Sequence, residues 1–135
     1  MTDRLIILLA LAVIVALVVW LVRRWSGRRT ARVAGTGLSP ELQTHISPAG
    51  SGIVYFYGPH CPTCRQQAAV LDDLASALDM PVVRLDATQE RELTAQLAIM
   101  TVPSTVVVER GIVRAVNLGF RSRVALEAQL DRAQR

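Results

Sequence analysis

The stretch from Leu5 to Val22 constrains the fold of this chain more than any other feature. It contains no charged residue and consists almost wholly of Leu, Ile, Val and Ala. As a helix it would measure about 27 Å, close to the roughly 30 Å hydrocarbon core of a bilayer. Trp20 and Trp25 lie at its C-terminal edge, where indole rings favour the headgroup layer. The pattern predicts a transmembrane helix, and residues 1–25 are interpreted as an anchor with its basic flank.

A secretory signal peptide is the competing interpretation of this segment. Its apolar stretch is usually shorter, about 7–15 residues, and ends in a small-residue cleavage site. Here Arg23 and Arg24 follow the apolar run at once, and the nearest small-residue cluster, at residues 33–35, lies well beyond them. We therefore predict an uncleaved single-pass helix.

The net charge of +4 is unevenly distributed along the chain. Residues 1–40 hold six arginines against a single acid, so the remainder is almost neutral. A near-neutral globular part lacks the excess of positive charge that binds a phosphate backbone. The sequence therefore predicts no nucleic-acid partner. The location predicted from the helix is the inner or plasma membrane. Because arginines follow the helix, the positive-inside rule favours a domain that faces the cytoplasm rather than the periplasm.

Residues 26–52 are predicted to be a linker, because glycine, proline and serine punctuate them heavily. Within this segment, residues 41–46 could form a short first strand or a helical turn, and the pattern does not decide between them.

Residues 53–135 alternate between strand-like and helix-like patterns. Ile53–Tyr57 is a β-branched and aromatic run that ends at Gly58-Pro59, which is typical of a buried central strand. A helix is predicted next, with spacings of three and four placing on its buried side Val70, Leu71, Leu74 and Leu78.

The second half of this region repeats the alternation. The predicted elements are a strand at 82–85, a helix at 89–98, a strand at 105–108, its hairpin partner at 112–118 and a last helix within 121–135. The buried side of the last helix is predicted to hold Val124, Leu126 and Leu130. This order implies a parallel βαβ unit joined to an antiparallel hairpin, with helices on both faces of one α/β domain.

Two cysteines, in the sequence Cys61-Pro62-Thr63-Cys64, stand where the first strand turns into the first helix. Residues three apart on a helical turn lie about 5–6 Å from each other, a spacing that a disulfide can span. The unsatisfied N–H groups and the dipole of a helix N-terminus favour a thiolate at Cys61. Pro62 suits the first turn, where its missing N–H costs nothing. The pattern indicates a redox-active pair with Cys61 as the attacking thiol.

Two other interpretations of the cysteines stay open. They could form half of a zinc site with His60 and His45, which would make the protein a metal-binding or metallochaperone module. They could equally be unreactive buried thiols in a redox-silent adaptor whose fold serves only for interaction.

The strand at 53–57, the Cys61–Cys64 turn and the sequence Thr101-Val102-Pro103-Ser104 before a hairpin together resemble the thioredoxin-like oxidoreductases. The resemblance covers the chain from about Ile53 to its C-terminus. It implies a thioredoxin-like fold, a three-layer α/β/α arrangement around a mixed sheet, here preceded by one transmembrane helix.

The resemblance also implies roles for individual residues. Cys61 corresponds to the nucleophile that attacks a substrate disulfide, and Cys64 to the resolving thiol. Pro103 matches the family's cis-proline beside the dithiol, and Val102 would pair its main chain with an extended substrate. The remaining expected supports of the active site are His60, which would stabilise the thiolate when protonated, Pro62 and Thr63.

Three departures from the family pattern bear on the chemistry. A proline directly after the first cysteine is similar to glutaredoxins, and His60 stands where thioredoxins carry a tryptophan. The buried acid of thioredoxins would fall at Tyr55, so the proton acceptor for Cys64 is unassigned.

These observations predict a membrane-tethered thiol–disulfide oxidoreductase that exchanges disulfides with protein substrates. Its expected partners are protein thiols and disulfides and a recycling reductase or other electron donor. Dithiol exchange requires no metal and no organic cofactor.

Overall fold

The computed structural model describes residues 2–46 and 50–135. Its helices are α1 (Thr2–Val33), α2 (Pro40–His45), α3 (Pro62–Leu78), α4 (Arg91–Gln96) and α5 (Arg123–Ala133). Its strands are β1 (Gly52–Tyr57), β2 (Val82–Asp86), β3 (Ser104–Glu109) and β4 (Ile112–Leu118). From β1 onward this is the predicted order of strands and helices.

The four strands form one mixed sheet in the order β2-β1-β3-β4. β1 runs parallel to β2 and antiparallel to β3, and β3 and β4 form the predicted antiparallel hairpin. β1 and β3 are the two central strands, and all of β3 and nearly all of β1 are buried. Burial on both faces explains why β1 reads as a continuous apolar run rather than an alternating one.

Helices cover both faces of the sheet and make the three-layer arrangement. On one face, α2, α4 and the residues that flank them pack over the sheet through Leu38, Leu42, Ile46, Leu93 and Leu97. On the other face, α3 and α5 supply Leu71, Leu74, Leu126 and Leu130. The thioredoxin-like α/β fold implied by the resemblance is therefore confirmed.

The buried side of α3 is shorter than its sequence pattern predicts. Its buried residues are Cys64, Gln67, Leu71 and Leu74. The prediction for Leu78 was wrong: this last residue of the helix is 50% exposed, because contact with the sheet ends one turn earlier. Gln67 is fully buried instead, and its amide both donates to the carbonyl of Arg121 and accepts from the N–H of Arg121. These two bonds tie α3 to the loop before α5.

The prediction for Val124 in α5 was also wrong, because its side chain is 74% exposed. Leu126 and Leu130 are buried, one helical turn apart. Val124 precedes Leu126 by two positions, which turns it about 200° around the helix axis and onto the solvent side.

The N-terminal part of the chain consists of two helices. α1 is long and apolar enough to cross a membrane, and none of its apolar span is buried against the domain. It continues to Val33, inside the segment predicted as a linker. Of the two alternatives for residues 41–46, the structure has a helix, α2. Residues 47–49 of the predicted linker lie outside the described part of the chain.

Candidate active site

The two cysteines are joined at the point where the loop after β1 enters α3. Cys61 is the N-cap of α3, and its Cα lies 5.3 Å from the Cα of Cys64, within the range that a disulfide spans. The backbone N–H of Cys64 donates a hydrogen bond of 3.1 Å to Sγ of Cys61. An N–H of the first helical turn thus points at the sulfur of Cys61, where it would stabilise a thiolate after reduction.

The two sulfur-bearing residues differ in exposure. Cys61 is half-buried, whereas Cys64 is 5% exposed and belongs to the cluster under α3 and α5. A disulfide arriving from solvent therefore meets Cys61 before Cys64. The geometry favours Cys61 as the nucleophile and Cys64 as the thiol that resolves an intermediate.

Tyr55 lies beneath this pair and was not predicted to take part. Its side chain is 2% exposed, and its hydroxyl donates a 2.8 Å hydrogen bond to the carbonyl oxygen of Cys64. Burial raises the pKa of the Tyr55 phenol above its ordinary value, and Arg84 opposes this with a smaller lowering effect. The phenol is therefore neutral near pH 7 and acts as a donor. The sequence contained one signal for this contact: Tyr55 stands where the resemblance to thioredoxins places a buried acid.

A cavity of about 640 Å³ opens beside the disulfide on the side of β2. Its lining residues are Tyr55, Tyr57, Gly58, Pro59, His60, Cys61, Pro62, Cys64, Arg65, Ala68 and Arg84. Both cysteines thus border this space. Arg65 and Arg84 were not predicted as site residues, and Arg84 also forms an ion pair with Asp72 of α3.

Val102 and Pro103 lie at the entrance to β3. The peptide bond between them is cis, and Pro103 is buried. The N–H of Gly119 donates to the carbonyl of Pro103 at 2.8 Å, which connects this turn to the end of β4. Val102 packs against the cluster that contains Cys64, and a Cβ built on Gly58 would lie 3.1 Å from its Cγ2. The structure thus brings Val102 against the loop that leads to Cys61.

The three other residues predicted to support the site surround Cys61 on the surface. His60, Pro62 and Thr63 are all exposed, and the first two line the cavity. Among residues 2–46 and 50–135, no three His, Cys, Asp or Glu side chains converge in a way that could hold a metal ion. The side chain of His45, the other histidine considered for a zinc site, lies outside the described residues.

We expect Tyr55→Phe to lower the free energy of unfolding by about 1 kcal/mol at pH 7, because the variant loses the hydrogen bond to Cys64. Above the ordinary tyrosine pKa of 10.0, the unfolded chain releases the phenol proton more readily than the folded chain, whose pKa is raised. The free energy of unfolding of the parent protein therefore falls with rising pH in that range. The difference in this free energy between the parent protein and Tyr55→Phe becomes smaller. Urea denaturation of the oxidised protein between pH 7 and 11 measures both effects.

The matched control is Tyr57→Phe. Tyr57 is the chain's other tyrosine, and within the described residues its hydroxyl makes no hydrogen bond. Equal losses of stability in the two variants would show that the bond to Cys64 contributes nothing.

Comparison with known proteins adds a family match to this geometry. The thioredoxin family model matches residues 39–132. Thioredoxin of Bacillus subtilis (strain 168) is 24% identical over 94 residues, which cover 67% of this chain and 90% of that protein. Thioredoxin of Alicyclobacillus acidocaldarius is 31% identical over 80 residues, covering 58% and 76%. Among solved structures, thioredoxin-2 of the malaria parasite superposes with a TM-score of 0.55 at 17% identity, covering 61% of this chain and 84% of that one.

Proposed function

Because the chain belongs to the thioredoxin family and carries its cysteine pair at the start of a helix, we propose that it is a membrane-tethered oxidoreductase that exchanges disulfides with proteins through Cys61 and Cys64. Thiol–disulfide oxidoreductase activity follows from the family and the cysteine pair. The membrane tether, the protein substrates and the residue roles are the parts that we add.

In the proposed reaction the reduced protein acts first through the Cys61 thiolate. Its sulfur attacks one sulfur of the substrate disulfide, a mixed disulfide forms, and the second substrate sulfur leaves as a thiolate that takes up a proton. Cys64 then loses its proton to solvent and attacks the sulfur of Cys61. The substrate departs with both sulfurs reduced, and the two electrons have come from the sulfurs of Cys61 and Cys64, which are left oxidised as a disulfide.

The single observation that carries this proposal is the position of the cysteine pair at the first turn of α3. The N–H of Cys64 is aimed at Sγ of Cys61, and the two Cα atoms are already at disulfide distance. Neither step of the reaction therefore requires a large movement of the backbone. Preorganisation of this kind lowers the cost of reaching the reactive geometry.

We assign the binding of an extended substrate chain to the turn at Val102 and Pro103. Its support is the packing of Val102 against the loop that leads to Cys61. In the same proposal His60, Pro62 and Thr63 form the exposed rim on which a folded substrate rests. A thioredoxin-type reductase or another dithiol donor would return the disulfide to the dithiol.

The proposed membrane anchor is α1. Its support is the continuous exposure of large apolar side chains from Leu5 to Val22, which water would solvate poorly. The guanidinium groups of Arg24 and Arg29 lie 5.3 and 3.6 Å from the ring centroids of Trp20 and Trp25. Such arginine–tryptophan pairs suit the headgroup layer, where an apolar ring and a cation are both accommodated.

We expect the domain to face the cytoplasm, because five arginines follow the apolar run of α1 within about ten residues of Val22. Protease added to sealed spheroplasts that express the chain with a C-terminal epitope should leave the epitope intact until the membrane is broken. An outward-facing membrane protein in the same cells is the control for protease access. Loss of the epitope in sealed spheroplasts would place the domain on the other side.

The oxidoreductase function is tested by reduction of insulin with dithiothreitol in the presence of the full-length protein in detergent. We expect the precipitation of the reduced insulin B chain to begin earlier than with dithiothreitol alone. An unchanged onset, with a cysteine pair that does not respond to redox buffers, would favour the adaptor interpretation.

A further inference from the structure

The chain between α1 and α2 pairs with the sheet over residues 35–38, which we call the junction segment. The N–H of Gly35 donates to the carbonyl of Val113 at 2.7 Å, and the N–H of Val113 donates to the carbonyl of Thr36 at 3.0 Å. The N–H of Leu38 donates to the carbonyl of Gly111 at 2.8 Å. Gly37 also forms an antiparallel bridge with Ile112. The junction segment is thus hydrogen-bonded along the β4 edge of the sheet, with one isolated antiparallel bridge.

The turn between α1 and the junction segment is closed by hydrogen bonds as well. Gly35 has a φ of +92°, the left-handed conformation in which glycine commonly ends a helix. The carbonyl of Val33 accepts from both the N–H and the hydroxyl of Thr36, at 3.1 and 2.7 Å. The end of the helix is therefore hydrogen-bonded to the junction segment that directly follows it.

Apolar side chains anchor the same segment to the core. Val33 packs against the cluster on the α2 and α4 face of the sheet, and Leu38 in that cluster is 5% exposed. Leu42 and Ile46 of the following segment are 1% and 3% exposed in the same cluster. Burial of each such side chain contributes about 1.5–3 kcal/mol to the free energy of unfolding. Detaching the junction segment would therefore expose part of the domain core and lower its stability.

The junction segment lies at the end of the sheet opposite to the dithiol. It pairs with the start of β4, where Ile112 faces Glu109, the last residue of β3. The start of β1 is at this same end, since Gly52 faces Val108. Cys61 follows the other end of β1, and the six residues of that strand span about 20 Å.

α1 touches the domain only near its C-terminal end. Its described residues from Arg4 to Trp25 are exposed, and only Ser26, Thr30 and Val33 are half-buried. Their spacings of four and three place these three residues on one side of the helix. The C-terminal end of α1 is therefore joined to the domain at the end of the sheet that is remote from the cysteines.

We propose that the junction segment is a rigid bracket that holds the dithiol on the membrane-distal end of the domain. The bracket presents Cys61 to a water-soluble or peripheral protein whose disulfide stands in the aqueous phase. A disulfide at the level of the lipid headgroups is out of reach, because the domain has no flexible tether on which to turn over. This proposal rests on the membrane tether proposed above.

Distances to the bilayer surface test the bracket. In the full-length chain with Cys61→Ser and Cys64→Ser, a single reporter cysteine is introduced either at the dithiol end, as Thr63→Cys, or at the junction end, as Arg110→Cys. Both positions are exposed. Each variant carries a fluorescent donor and is reconstituted in nanodiscs of phosphatidylcholine and phosphatidylglycerol with acceptor-labelled headgroups. We expect the donor at position 63 to lie about 20 Å farther from the acceptors than the donor at position 110.

A flexible insertion provides the matched comparison. A Gly/Ser segment inserted between Ala34 and Gly35 separates α1 from the bracket and should reduce the difference between the two distances, whereas the same segment appended after Arg135 should not. Equal distances in the parent chain would overturn the bracket. A chain that fails to enter nanodiscs would contradict the membrane tether itself, and insulin reduction by the unmutated protein reports on the dithiol chemistry independently of both.

Discussion

Cys61→Ser is expected to reduce the rate of insulin reduction to that of dithiothreitol alone. A serine hydroxyl at the N-cap of α3 accepts the N–H of Cys64 as the sulfur does, so the helix begins at the same place. It cannot form the mixed disulfide, however, because the sulfur nucleophile is gone. The variant therefore separates chemistry from folding. The measurement is the onset and rate of turbidity at equal protein concentration.

Cys64→Ser should fail differently. Its Cys61 thiolate still attacks a substrate disulfide, but no second sulfur is available to release the product, so a protein–substrate mixed disulfide accumulates. Non-reducing gels followed by mass spectrometry detect this species, and added dithiothreitol should dissolve it. No such species should form with Cys61→Ser.

Ala77→Ser is the control for both cysteine variants. It places a serine on an exposed position of the same helix, away from the dithiol, and should leave insulin reduction unchanged. Undiminished turnover in Cys61→Ser would contradict the assigned nucleophile, and trapping by Cys61→Ser in place of Cys64→Ser would exchange the two roles.

Phe56→Ala is expected to cause the largest loss of stability among single core substitutions, about 3–5 kcal/mol. Phe56 is fully buried on the central strand β1, in the cluster covered by α2 and α4. Truncation removes most of its apolar surface and leaves a cavity between the sheet and these helices. For a domain of this size the loss corresponds to a fall in Tm of roughly 12–40 °C. Far-UV circular dichroism of the oxidised protein in detergent, by heat and by urea, measures it.

The matched control is Phe120→Ala. This phenylalanine is 43% exposed, in the loop between β4 and α5. Its truncation should change the free energy of unfolding by about 0.5 kcal/mol or less, as is usual for surface positions. Comparable losses in the two variants would mean that the cluster on this face of the sheet contributes little to stability.

Local patterns in the sequence were sufficient for the architecture of residues 53–135 and for the cysteine pair. β1 and β3 could be predicted because central strands bury both faces and therefore read as continuous apolar runs. The pairing of Cys61 with Cys64 depends on a separation of three residues at a helix start, which one helical turn determines. Periodicity alone misplaced Leu78 and Val124, because it cannot tell where a helix leaves its neighbour.

The contacts that surround the cysteine pair belong to the tertiary structure alone. The hydroxyl of Tyr55 reaches the carbonyl of Cys64 because β1 passes directly under the first turn of α3. Gln67 meets Arg121 across a sequence separation of 54 residues. The junction segment contacts β4 across a still longer stretch of chain. It was predicted as part of a linker, because glycines in a sequence indicate turns but do not indicate which strand the backbone pairs with.

The sequence by itself therefore determined the elements from β1 onward, their order and the cysteine pair, all of which follow from interactions within a few residues. Only the tertiary structure decided what covers Cys64 and at which end of the sheet α1 joins the domain. These properties depend on which distant segments pack together, and that choice is made by the burial of the whole core rather than by any local pattern.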